Sequence, residues 1–168
     1  METIAVYSES KIRTYGFNFK KNLILCELMI QIESLEFFGK ELQALAASFK
    51  HFHLVWACTG EPGKIKFFIL CDQEYRENIE CFFNYQKLSK IIQNVRYETS
   101  MDLIYFQGPH FGDRHGIADF TLNALIRHEL LPKAMTCSGA AVYLVFSNSS
   151  GKKAKDILSS TFEVPQKK

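Results

Sequence analysis

The sequence predicts an α+β fold built from two βαββαβ units, each with a four-stranded antiparallel sheet and two helices. Three observations lead there. Apolar segments with strand character alternate with segments of helical period. The order strand, helix, strand, strand, helix, strand is completed near Thr99. The same order then starts again at Met101. The repeat lies in pattern more than in letters. The division expected is 1–99 for the first unit, with an N-terminal extension, and 100–168 for the second.

Length and composition fit this reading. The chain has 168 residues, 47% of them hydrophobic and 23% charged, which suits a folded chain of one or two small domains. The 15 Phe and 7 Tyr supply large buried areas to the core. A net charge of +2 and the absence of a polybasic arm argue against nucleic-acid binding. The N-terminus lacks a basic region followed by an apolar one, and no apolar run is long enough to span a membrane. Five cysteines, Cys26, Cys58, Cys71, Cys81 and Cys137, are odd in number and lack Cys-x-x-Cys spacing. They predict reduced thiols in a cytoplasmic protein, with Cys26, Cys58 and Cys71 acting as small hydrophobes.

The elements follow in order. Thr3–Tyr7 reads as a short strand, and Gly16 as a turn in the polar stretch from Ser8 to Lys21. Asn22–Ile32 is dense in Leu and Ile and reads as a strand. Ser34 is a favoured N-cap, and Leu35, Phe38, Leu42, Leu45 and Phe49 recur along one helical face. A strand from His51 and another over Lys64–Cys71 flank the turn Gly60-Glu61-Pro62-Gly63 and form a hairpin. Asp72–Asn94 is helical in character, with a break near Asn84. Val95–Thr99 closes the first unit as a strand.

In the second unit the strand from Met101 leads to a helix with Ala118, Leu122, Leu125 and Ile126 on one face. Leu130–Ser138 reads as a strand interrupted early by Pro132, an edge or a strand start, and the next strand begins at Ala140. Lys152–Ser160 reads as a helix and Phe162–Val164 as a last strand.

Chemistry concentrates in Gly-Pro-His-Phe-Gly-Asp-Arg-His-Gly-Ile-Ala-Asp, residues 108–119. The loop precedes a helix, whose first amides are unpaired and whose dipole favours an anion. Gly108, Gly112 and Gly116 allow close backbone approach. Asp113 could equally serve as a helix cap. His110, Asp113 and His115, with His51 and His53 on a strand face, raise a metal site, although their spacing matches no known ligand pattern. No nucleophile-elbow or catalytic-cysteine signature is present.

The segment "DRHGIADFTLNALIRHELL" resembles the ACT-domain family, through Asp113, Arg114, Gly116, Ile117, Ala118, Leu122, Ala124 and Leu125. "AMTCSGAAVYLVFS" from Ala134 resembles the strand pair that follows in the regulatory tail of aspartate kinases, where two ACT units lie in tandem. The resemblance is good over Met101–Ser160 and rests on element order over Asn22–Thr99. It implies ferredoxin-like, ACT-like units and a regulatory module that binds a small molecule, an amino acid, and has no catalytic activity. It also implies a homodimer, a separate effector protein as a further partner, and no cofactor, nucleic acid or membrane. Carried over, the ligand site is Phe111, Gly112, Asp113, Arg114, His115, Gly116, Ile117 and Ala118 in the loop. Thr136, Cys137 and Ser138 face it from the adjoining strand. Gly139 stands where lysine-sensing aspartate kinases carry an acidic residue, so the resemblance does not extend to a cationic ligand. Glu33–Gly39 replaces the glycine-rich loop in the first unit, which implies no equivalent site there. No kinase domain precedes the pair, so a free-standing module is expected. The alternatives are a scaffold on the same fold, a small metal-dependent enzyme using His110, Asp113 and His115, and an RNA binder. The last lacks the Lys/Arg-Gly-aromatic signature of that family.

Overall fold

In the computed structural model the described residues are 11–48, 52–85, 88–147 and 149–164. The strand expected at Thr3–Tyr7, together with Phe49, Lys50 and His51, lies outside them. The elements are β1 (Phe17–Gln31), α1 (Leu35–Ser48), β2 (Leu54–Thr59), β3 (Lys64–Asp72), α2 (Arg76–Phe83), β4 (Ile92–Gln107), α3 (Ile117–Ile126), β5 (Ala134–Ser138), β6 (Ala141–Ser147) and α4 (Gly151–Thr161). The strands hydrogen-bond in the order β2-β3-β1-β4-β6-β5, a single six-stranded sheet.

The sheet has six strands in place of two sets of four, because Val95–Thr99 and Met101–Gln107 are one continuous strand, β4. The expected last strand shrinks to one parallel bridge between Arg13 and Glu163. The position beside the end of β4 is taken by the N-terminal stretch, where the Tyr15 N–H donates to the Gln107 carbonyl at 2.8 Å.

By contact density the chain divides into Lys21–Met101 and a discontinuous unit of Met1–Lys20 with Asp102–Lys168. The N-terminal stretch, placed with the first unit on sequence grounds, thus counts with the later one. Two-way hydrogen bonds explain it. The Thr14 N–H donates to the Glu163 carbonyl, and the Glu163 N–H to the Ile12 carbonyl, both at 2.9 Å.

Within Lys21–Met101, β1 pairs antiparallel with β3 and β3 with β2. Ile24, Cys26, Leu28 and Ile30 alternate onto one face of β1 and pack with Phe38 and Leu45 of α1 and Ile79 and Phe83 of α2. Leu35, assigned to the same stripe, is exposed, because a 3-10 turn at Ile32–Ser34 precedes α1 and shifts its start. Among the described residues no second helix follows the break near Asn84. Phe83 ends α2, and Leu88–Ile91 makes only turns, with Ile91 N–H donating to the Leu88 carbonyl. Cys58, expected in the core, is exposed on the edge strand β2.

In the other unit Ile104 and Phe106 of β4, Val142, Leu144 and Phe146 of β6, and Ala154 and Leu158 of α4 form the core. The buried stripe of α3 is Ile117, Thr121 and Leu125. It is offset from the expected face, leaving Ala118 and Ile126 exposed. The hydroxyl of buried Thr121 donates to the Ile117 carbonyl at 2.7 Å, which satisfies it without a second partner.

Burial sets an alkaline limit on stability. Desolvation, with a contribution from Asp72, pushes the Cys71 thiol from 9.0 up to about 12. Desolvation, with contributions from Cys26 and Glu80, pushes the Tyr97 phenol from 10.0 up to about 12. Its hydroxyl has no hydrogen-bond partner among the described residues. Both groups hold their protons longer folded than unfolded. Their contribution is therefore complete below the unfolded values and is lost as pH rises from there through about 12. Thermal melts at rising pH should show the midpoint falling above pH 9.0, and falling less in Cys71→Val.

Candidate functional site

The loop between β4 and α3 is built by turns closed on its own backbone. The His110 carbonyl accepts from both the Asp113 N–H at 3.0 Å and the Arg114 N–H at 2.8 Å. His110 sits at φ 62°, a left-handed conformation that the double acceptor geometry holds in place. Phe111 is buried at the foot of the loop, its ring edge-on to Phe106 at 5.9 Å. Ile117 is buried as well. Both belong to the core cluster of this unit, so they anchor the loop.

The glycines differ in purpose. A side chain at Gly108 would collide with the Phe111 ring and the Arg13 carbonyl, so the chain passes there with no room for a Cβ. Gly116 is the N-cap of α3 at φ 81°, and no side chain caps the helix. Asp113 is therefore not the cap. Gly112 faces open space. The first intrahelical bond runs from the Phe120 N–H to the Gly116 carbonyl. The amides of Ile117, Ala118 and Asp119 precede it, at the positive end of the helix. Gly112, Asp113, His115, Gly116 and Ala118 are exposed, and Arg114 is half-buried.

Thr136, Cys137 and Ser138 lie on β5, the last strand of the sheet order, opposite Tyr143, Val142 and Ala141 of β6. Thr136 is half-buried and the other two are exposed. Among the described residues their side chains make no hydrogen bond to the loop. The turns of the loop are closed by its own backbone hydrogen bonds. Desolvation pushes the Cys137 thiol above its ordinary value, which lowers its thiolate fraction and its nucleophilicity.

The metal alternative finds no geometry to support it. Among the described residues no three His, Cys, Asp or Glu side chains gather closely enough to hold an ion. His53 is taken up by Asp72, with Nε2 and Oδ1 2.9 Å apart. His51 lies outside the described residues.

Gly108 as a spacer and Arg13 as its neighbour were not foreseen. The alternating Phe17 and Phe19 were a usable signal that the N-terminal stretch is a strand with a buried face.

By sequence the chain matches no family model and no curated protein. By structure it is similar to the ligand-free regulatory subunit of aspartate kinase from Thermus thermophilus. The TM-score is 0.74 at 10% identity, over 92% of this chain and all of that one. The fold is that of an aspartate kinase regulatory region. Aspartate kinase from Synechocystis matches with a TM-score of 0.78 at 14% identity, over 95% of this chain and 29% of that one. Aspartokinase III of E. coli, solved in complex with lysine and aspartate, matches with a TM-score of 0.61 at 14% identity. It covers 94% of this chain and 35% of that one. Among the described residues no helix is long and apolar enough to cross a membrane.

Proposed function

We propose that the chain is a regulatory module of two ACT-like units that binds an amino acid and catalyses no reaction itself. The order β4-β1-β3-β2 within Lys21–Met101 supports a ferredoxin-like reading of that unit. In the other unit the N-terminal stretch would stand in for the closing strand.

One observation carries the ligand reading. The N-terminus of α3 is capped by Gly116 with no side chain over it, and the exposed Asp113 carboxylate stands in the preceding turn. Asp113 has no side-chain partner among the described residues. Helix amides suit a carboxylate, and Asp113 suits an ammonium, the two charges of an amino acid. A related fold solved with lysine and aspartate supports the same ligand class. Loop residues 111–118 would line the site, and Thr136, Cys137 and Ser138 would complete it from a second copy or a closed state. Binding would bias one of two arrangements and pass the signal to an effector chain, with the module acting as a homodimer.

The test is a thermal-shift series with each of the twenty amino acids, on wild type and Asp113→Ala. A ligand at a hundred times its Kd should add about 2.7 kcal/mol of stability, and the gain should vanish in the variant. No gain with any amino acid would favour the scaffold reading.

A further inference from the structure

A second set of polar groups lies on the face of β1 turned away from α1 and α2. Cys26 and Leu28 point into the core, so Glu27 and Met29 point the other way. The register sets Glu27 opposite Phe68 and Met29 opposite Lys66. β2 extends both rows, with Trp56 opposite Phe68 and Cys58 opposite Lys66. Trp56 and Phe68 stack with ring centroids 4.6 Å apart. Lys66 Nζ lies 5.7 Å from the Phe68 centroid and 2.8 Å from Glu27 Oε1. These contacts hold the lysine at the wall of a groove of about 120 Å³, lined by Glu27, Leu28, Met29, Lys66, Asn94 and Arg96.

The charge of the groove is unbalanced. Lys66 and Glu27 neutralise one another. Arg96 is exposed and has no ion-pair or hydrogen-bond partner among the described residues, and the same holds for the Asn94 amide. One guanidinium is therefore left over, beside an amide donor and the apolar side chain of Met29.

We propose that this groove binds a small monocarboxylate. A planar guanidinium presents two parallel N–H donors that match the two oxygens of a carboxylate. The Asn94 amide adds a donor, and Met29 meets a short alkyl chain. Glu27 sets the selectivity, because while it holds Lys66 a second negative charge on the ligand finds no unpaired cation in the groove. The groove lies wholly within Lys21–Met101, whereas the 111–118 loop belongs to the other unit. The two sites are independent, and this one does not rest on the amino-acid reading.

The experiment is an amide-resolved NMR titration of the full chain with sodium propionate. Sodium chloride and inorganic phosphate serve as controls at equal ionic strength. Expected are saturable shifts at Glu27, Lys66, Asn94 and Arg96 with propionate, and none with chloride or phosphate. Arg96→Gln, at an exposed position, should keep the melting temperature and weaken propionate binding roughly tenfold or more. Glu27→Gln should let phosphate bind. Asp113→Ala should change nothing here, which separates this site from the loop. Shifts that do not saturate, that chloride reproduces, or that persist unchanged in Arg96→Gln would overturn the proposal.

Discussion

Phe106→Ala is expected to lower the unfolding free energy by about 3–5 kcal/mol. Phe106 is fully buried and is the hub of the aromatic cluster. Its ring centroid lies 4.7 Å from Phe17, 5.1 Å from Phe162 and 5.9 Å from Phe111. These three partners come from β1, from the residue after α4, and from the loop. No neighbour can move inward without leaving one of the others, so the cavity should stay largely open. Urea unfolding followed by circular dichroism measures the loss. A cost under about 1 kcal/mol would mean that the cluster repacks and that the loop does not depend on it.

Gly108→Ala comes next, at about 1–3 kcal/mol or more. The new methyl group would meet the Phe111 ring and the Arg13 carbonyl. The ring could turn aside, but the carbonyl belongs to backbone tied to Glu163 by the bridge. Either the N-terminal stretch or the loop must shift. Gly112→Ala is the control, since that position faces open space, and should change stability by less than about 0.5 kcal/mol. The same denaturation experiment on both variants reads the contrast. Equal effects would show that the close approach at Gly108 does not constrain the fold.

The elements that were legible in the sequence share a physical property: their signal is local. The hairpin of β2 and β3 was announced by its Gly-Glu-Pro-Gly turn. The density of Leu and Ile over Asn22–Ile32 marked β1. The helix after Gly116 was marked by the spacing of Ala118, Leu122, Leu125 and Ile126. What was missed depends on contacts distant in sequence. Nothing near Val95 or Met101 says that two strand segments run on as one. Nothing near Phe162 says that Glu163 will meet residues 12–14 and leave no room for a full strand. A period of 3.6 places apolar residues on a helix but tolerates rotation by one position, so Thr121 replaced Leu122 on the buried stripe of α3. Its hydroxyl is satisfied within the helix, which makes that burial inexpensive.

The candidate loop shows the same division. Gly116 at the head of α3 was readable, because only glycine takes that conformation without strain. That Phe111 and Ile117 face the core was not readable. Neither was the exposure of Cys137 and Ser138, since the position of β5 depends on its pairing with β6.

The most direct measurement is an amide-resolved NMR spectrum of the full chain with and without a mixture of the twenty amino acids. Saturable shifts are expected at residues 111–118 and at Thr136, Cys137 and Ser138, with their loss in Asp113→Ala. A spectrum in which those amides stay fixed at saturating amino acid would contradict it.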